Sequence, residues 1–188
     1  ELASLDTAGH GTHLAGIIAG RDAAADPKKP SVGFMGMAPN ATLVNVKVAT
    51  ADGTTSVSTI IDGLGWVVDN QATLAVPIRV VNLAFAADPS TPYANDPLAY
   101  AVEQVWNAGI VVVAAAGNAA TNNDTTANYP SNYQCTKGGT RGWDCVIAVA
   151  AIDSAGGLAT FSQYGATTVD VGAPGVSIKS TVPNDAYA

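Results

Sequence analysis

Two uninterrupted apolar runs, "IVVVAAA" (Ile110–Ala116) and "VIAVAAI" (Val146–Ile152), constrain this chain more than any other feature. A strand with one face in water alternates apolar and polar residues, whereas a run with no polar position suits a parallel sheet covered on both faces. Each run has seven residues, far short of the roughly 18 that a membrane span needs. Around them the pattern alternates. "TLVNVKV" (Thr42–Val48) and "IRVVNLAF" (Ile78–Phe85) read as further strands. Between these, Val57, Ile60, Ile61, Leu64, Val67 and Val68 share one helical face behind a cap at Thr55 or Ser56. "NDPLAYAVEQVWNAG" places Asp96 at the cap and Pro97 at the first helical position, then an apolar face of Leu98, Ala101, Val102, Val105 and Trp106, with Gly109 as the stop. Strands alternating with helices predict βαβ units with right-handed crossovers, hence an α/β fold built on a parallel sheet. The stretches 21–31 and 119–144 are polar and rich in Gly and Asn, and read as surface loops.

Composition then excludes whole classes of function. A chain of 188 residues fits one domain, large enough to bury roughly 70% of the surface that its unfolded form exposes. Its net charge is -7, and its eight basic residues form no cluster larger than a pair, so a nucleic-acid footprint is not expected. Cys135 and Cys145 bracket the flexible stretch "TKGGTRGWD" without the CxxC spacing of a metal or redox site. They are expected to form a disulfide, whose loop closure is worth roughly 3 kcal/mol, with two free thiols as the alternative. A disulfide points to an oxidising, secreted setting.

Both histidines lie in "GHGTHLAGIIAG" (residues 9–20), at the head of a run with helical character. The HxxH spacing lacks the glutamate of HExxH and has no third histidine or nearby cysteine to complete a zinc site, so no metal is assigned. Gly9 and Gly11 lack the third glycine and the preceding strand of a dinucleotide loop. The residues alone leave two readings of the pair open, core histidines or a catalytic base. Reactive groups of a parallel sheet gather beyond the carboxyl ends of its strands, where "IVVVAAA" is followed by Gly117 and Asn118. Taken alone, Asn118 is an ordinary loop asparagine.

In order and spacing, "GHGTHLAGIIAG", "GMAPNATLVNVKV", "ADGTTSVSTIIDGLGWVVDN", "VVNLAF", "GIVVVAAAGN", "VIAVAAIDSAGGLATFSQYG" and "VDVGAPGVSIKSTVP" resemble the subtilisin-like serine peptidases over nearly the whole chain. The resemblance implies a three-layer α/β fold, incomplete at both ends, with residues 1–188 as a single, truncated catalytic domain. It makes His10 the triad base and Asn118 the side-chain donor of the oxyanion hole, with His13 supporting the helix behind His10. Leu83, Ala84, Phe85 and Ala86 match an extended edge that forms one wall of the P1 pocket, and Ala115, Ala116 and Gly117 match the opposite wall. Ala86 stands where the family has glycine, so a large P1 side chain meets an added methyl. Ser162 matches a structural serine. No Gly-Thr-Ser-Met-Ala block supplies a nucleophile, and Asp6, only four positions before His10, reads as a loop residue. The chain alone is therefore expected to be inactive, and the full-length enzyme to be a secreted, monomeric endopeptidase acting on proteins or peptides, without a nucleic-acid or membrane partner. No catalytic cofactor is implied. Structural calcium is, with Asp22, Asp26, Asn122, Asn123 and Asp124 as candidate oxygen ligands but no defined loop. The competing classes are a noncatalytic binding module of the same fold and a nucleotide-binding α/β domain, the latter lacking a phosphate loop.

Overall fold

The computed structural model describes residues 6–25, 28, 33–86, 95–184 and 186–187. In chain order its elements are α1 (His10–Ala19), α2 (Val57–Asn70), β1 (Val80–Leu83), α3 (Pro97–Asn107), β2 (Val111–Ala115), β3 (Gln134–Lys137), β4 (Thr140–Asp144), β5 (Val146–Ile152), β6 (Val171–Pro174), β7 (Thr181–Val182) and β8 (Ala186–Tyr187). They fall into two compact units, one of residues 1–56 with 178–188 and one of residues 57–177.

In the first unit the sequence seats α1 at its start and along its length. The Asp6 carboxylate accepts hydrogen bonds from the N–H groups of Gly9 (2.8 Å) and Thr12 (2.7 Å) and from the Thr12 hydroxyl (2.8 Å). These bonds satisfy donors that the helix itself leaves unpaired. Along its length α1 packs on β7, and β7 pairs with β8 in an antiparallel ribbon. The Ser180 hydroxyl donates to the His13 carbonyl at 2.7 Å and the Thr181 hydroxyl to the Thr12 carbonyl at 2.9 Å. Such close approach requires Gly16, because a Cβ there would lie 2.2 Å from Thr181 Oγ1 and 2.4 Å from Ser180 Oγ.

One expected strand is absent. Residues 42–48 form no ladder among the described residues, and Leu43 and Val44 are exposed. Strand propensity describes how well a segment suits a pleated surface. Without a ladder partner among the described residues, "TLVNVKV" stays irregular.

The second unit is the α/β core. Its sheet runs β1-β2-β5-β6 with every neighbouring pair parallel, in the registers Leu83↔Ala114, Ala115↔Val149 and Val149↔Val171. One face, carrying Val112, Ala114, Val146, Ala148 and Ala150, is buried. Across the other, Val80, Val111, Ile147 and Val171 are exposed and Val113 and Val149 half-buried, so among the described residues the apolar runs are less deeply buried on this face than on the first. α3 packs on β2 and against α2, burying Leu98, Ala101, Val102 and Val105. Its boundaries follow the sequence signals: Asp96 accepts from the Leu98 N–H at 2.9 Å, Pro97 opens the helix, and Gly109 closes it with φ +78°. β1 is shorter than the expected 78–85, and β6 was not anticipated.

The stretch 119–144 is not all loop. β3 and β4 form an antiparallel hairpin whose bases are joined by the Cys135–Cys145 disulfide, with a Cα–Cα distance of 5.8 Å. Glycines 138 and 139, at φ +58° and +83°, make its turn. The hairpin alternates too weakly to be read from sequence, because every residue of β4 is exposed. The expected loop 21–31 lies partly outside the described residues.

Candidate active site

His10 is the first residue of α1 and is exposed, in an open depression lined also by Thr7, Ala8, Gly9, His13, Val182, Pro183 and Asn184. His13, one turn on, is half-buried, with Nε2 at 3.1 Å from the Ile178 carbonyl. That contact, together with the Ser180 and Thr181 hydroxyls, ties the helix behind His10 to the chain around β7, as the sequence reading expected of His13. Asp6 serves as the helix anchor. Burial would raise its carboxyl, but the Thr12 N–H and hydroxyl and the Gly9 and Ala8 backbone together hold it below the usual carboxylate value.

In the second unit, the carboxyl ends of β1 and β2 emerge side by side. Leu83 is paired with Ala114, so Ala84, Phe85 and Ala86 leave the sheet next to Ala115, Ala116 and Gly117. The two segments assigned to a binding cleft are thus brought together by parallel register. Phe85 is half-buried and Ala86 exposed. At the end of β2, the Ala116 N–H still donates to the Val149 carbonyl at 2.9 Å, and Ala116 is fully buried. Gly117 then turns the chain at φ +111°, and Asn118 follows it into solvent. Among the described residues the Asn118 side chain makes no hydrogen bond. Its amide is a presented donor at the carboxyl edge of a parallel sheet.

What the sequence reading missed is the support beneath Asn118. Gln163 and Asn123 are buried polar residues, 5% and 2% exposed. Gln163 Nε2 donates to Asn123 Oδ1 at 2.7 Å and to Thr121 Oγ1 at 3.0 Å, while Asn123 Nδ2 donates to the Ala116 carbonyl at 2.9 Å. Ser162, taken as structural, accepts from the Ala151 N–H and donates to the Gln163 carbonyl, both at 2.9 Å.

The cation candidates are engaged elsewhere. Asn123 belongs to the buried network, and Asn122 Oδ1 accepts from the Asp124 N–H at 2.9 Å. Asp124 accepts from Ala166, Thr167 and Thr168. Asp22 accepts from the Phe34 N–H at 2.7 Å and from the Tyr187 hydroxyl. Asp26 lies outside the described residues. Among the described residues no group of three or more His, Cys, Asp or Glu could hold a metal ion.

Comparison with known proteins gives this arrangement its context. The model of the subtilase family matches residues 3–188. The chain belongs to the subtilase family. Subtilisin DY of Bacillus licheniformis is 36% identical over 188 residues, 100% of this chain and 58% of that protein. The thermophilic serine proteinase of Bacillus sp. (strain AK1) is 39% identical over 98% of this chain and 38% of its own length. Among solved structures, a cold-adapted subtilisin-like serine proteinase superposes with a TM-score of 0.75 at 28% identity, covering 98% of this chain and 55% of that one. This subtilase chain therefore has the three-layer α/β subtilisin-like fold, and it spans about half the length of relatives such as these. Its disulfide hairpin follows the Asn118 loop directly, and no described helix is long and apolar enough to cross a membrane.

Proposed function

We propose that the protein is a serine-type endopeptidase to which this chain contributes part of a single catalytic domain. His10 takes the proton of a serine hydroxyl as that oxygen attacks the peptide carbonyl, and returns it to the leaving amine. Asn118 Nδ2 donates to the oxygen that gains negative charge in the tetrahedral intermediate. The substrate's P1 side chain enters between Ala84–Ala86 and Ala115–Gly117, where the Ala86 methyl favours smaller groups. The nucleophile belongs to a Gly-Thr-Ser-Met-Ala block that these 188 residues do not contain. Proteins or peptides are the substrates of a secreted, monomeric enzyme that needs no catalytic cofactor and has no nucleic-acid or membrane partner.

One observation carries this reading: an exposed amide without a partner among the described residues, held at the end of β2 beside the exit of β1. A loop asparagine with a structural task would use its amide to bond its own loop, as Asn123 does. The test is Asn118→Ala in a recombinant protein spanning the whole catalytic domain. It should lower kcat by roughly a hundredfold to a thousandfold with KM nearly unchanged, a magnitude taken from subtilisin itself rather than worked from this geometry. A change confined to KM would overturn the oxyanion assignment.

A further inference from the structure

Gln163 sits on both sides of Asn118 at once. Its backbone N–H donates to the carbonyl of Gly117 at 2.9 Å, one residue before Asn118. Its side-chain Oε1 accepts from the N–H of Ala119 at 3.4 Å, one residue after. The far end of the same amide is fixed in turn, since Nε2 uses its two hydrogens on Asn123 Oδ1 and Thr121 Oγ1. Asn123 closes the ring by donating to Ala116 O at 2.9 Å. Ala116, Gly117 and Ala119, the residues flanking Asn118, are thereby held by Gln163 and Asn123, the first and last through side chains and Gly117 through the Gln163 backbone, and the Asn118 amide is left to project.

We infer that Gln163 is a positioning residue that aims the Asn118 amide at the reacting carbonyl, an inference resting on the function proposed above. The glycine at 117 fits this role twice over. Its φ of +111° disfavours any other residue, and a Cβ there would lie 1.9 Å from Gln163 Oε1, so the amide occupies space that only glycine leaves. An oxyanion donor is useful to the extent that it is already oriented when charge develops. Asn118 is an exposed side chain on a turn, where rotation about its backbone would otherwise swing the amide away. Removing the Gln163 amide while keeping its bulk leaves the backbone bond to Gly117 in place, and should loosen the aim at Ala119 more than it moves the Ala116–Gly117 wall. Loss of transition-state alignment appears in kcat rather than KM.

The experiment is a double-mutant cycle in the protein spanning the whole catalytic domain, with a chromogenic peptide as substrate. Gln163→Met should lower kcat about tenfold to a hundredfold and leave KM within about twofold. In the Asn118→Ala background the same change should cost less than about threefold, because the donor that it aims is gone. Equal losses in both backgrounds, or a loss in KM alone, would show that Gln163 merely supports the fold. If Gln163→Met does not fold, Thr121→Val removes a single acceptor from the Gln163 amide at a half-buried position. It should show a smaller kcat loss that also disappears with Asn118→Ala, and persistence of that loss overturns the inference. Failure of the functional reading is distinguishable: Asn118→Ala alone would then leave kcat unchanged, whatever Gln163 does.

Discussion

Substituting alanine for a helical glycine ordinarily stabilises a helix by about 1 kcal/mol. Gly16→Ala in α1 should do the reverse. The new methyl would meet Thr181 Oγ1 at 2.2 Å, Ser180 Oγ at 2.4 Å and the Thr181 backbone nitrogen at 3.0 Å. Rotating the hydroxyls away would break their bonds to the Thr12 and His13 carbonyls, at about 1 kcal/mol each. The backbone nitrogen cannot rotate away, so β7 must shift as well, an overpacking cost of about 1–3 kcal/mol. Set against the gain in helix propensity, the net loss is about 2–4 kcal/mol. Gly65 in α2 provides the control, since a Cβ there meets nothing within 4 Å, and Gly65→Ala should stabilise by about 1 kcal/mol. Urea unfolding of both variants beside the parent reads the difference as midpoints moving in opposite directions at constant slope. A Gly16→Ala protein as stable as the parent would refute the claim that α1 is seated by backbone-close contact with β7.

Two further outcomes follow from the carboxylates. Asp96→Ala should destabilise by about 2–4 kcal/mol in the same assay, because it removes both the cap of α3 and the acceptor of the buried Tyr133 hydroxyl at 2.5 Å. The Thr168 hydroxyl, with Thr167 and the Ala166 and Thr167 N–H groups, holds Asp124 at about 2 against the opposing effect of desolvation. Since its folded value lies below the ordinary 3.8, the unfolded chain takes the proton first as pH falls. The stability that the clamp on residues 166–168 contributes is therefore fully present above 3.8 and is lost as pH falls from 3.8 to about 2. Hydrogen-exchange protection of the Ala166 and Thr167 amides should fall across that window, and should be insensitive to it in Asp124→Asn.

Local signals were legible where local chemistry decides. The Asp96-Pro97 start and Gly109 stop of α3 depend on a few adjacent residues, and the run Val146–Ile152 became β5 residue for residue. The end of an apolar run puts Asn118 at the carboxyl edge of a parallel sheet, but its proposed role as a donor came only from the family resemblance. Its partnership with Gln163 could not be read, since the Ala119 contact spans 44 residues and polar side chains announce no pairing in their spacing. Thr42–Val48 shows the opposite failure, a good strand sequence without a ladder partner among the described residues. Gly16 was visible only as one glycine among several. Its necessity belongs to Ser180 and Thr181, far along the chain. Asn123, counted among cation ligands for its oxygen, is instead buried by the network that holds Ala116.

The tie between α1 and the chain around β7 also sets an order of events during synthesis. The contacts of His13 with Ile178, of Ser180 with His13 and of Thr181 with Thr12 span 165, 167 and 169 residues. A ribosome releases the helix that bears His10 long before it releases what seats it. Until then a ten-residue segment is too short to hold its helical form in water by itself. The compact unit of residues 57–177 emerges in between, before the segment that seats α1. The histidine-bearing helix is thus secured only after residues 178–181 have emerged, and its seating waits on a closure of very high sequence separation, the slow class of folding step.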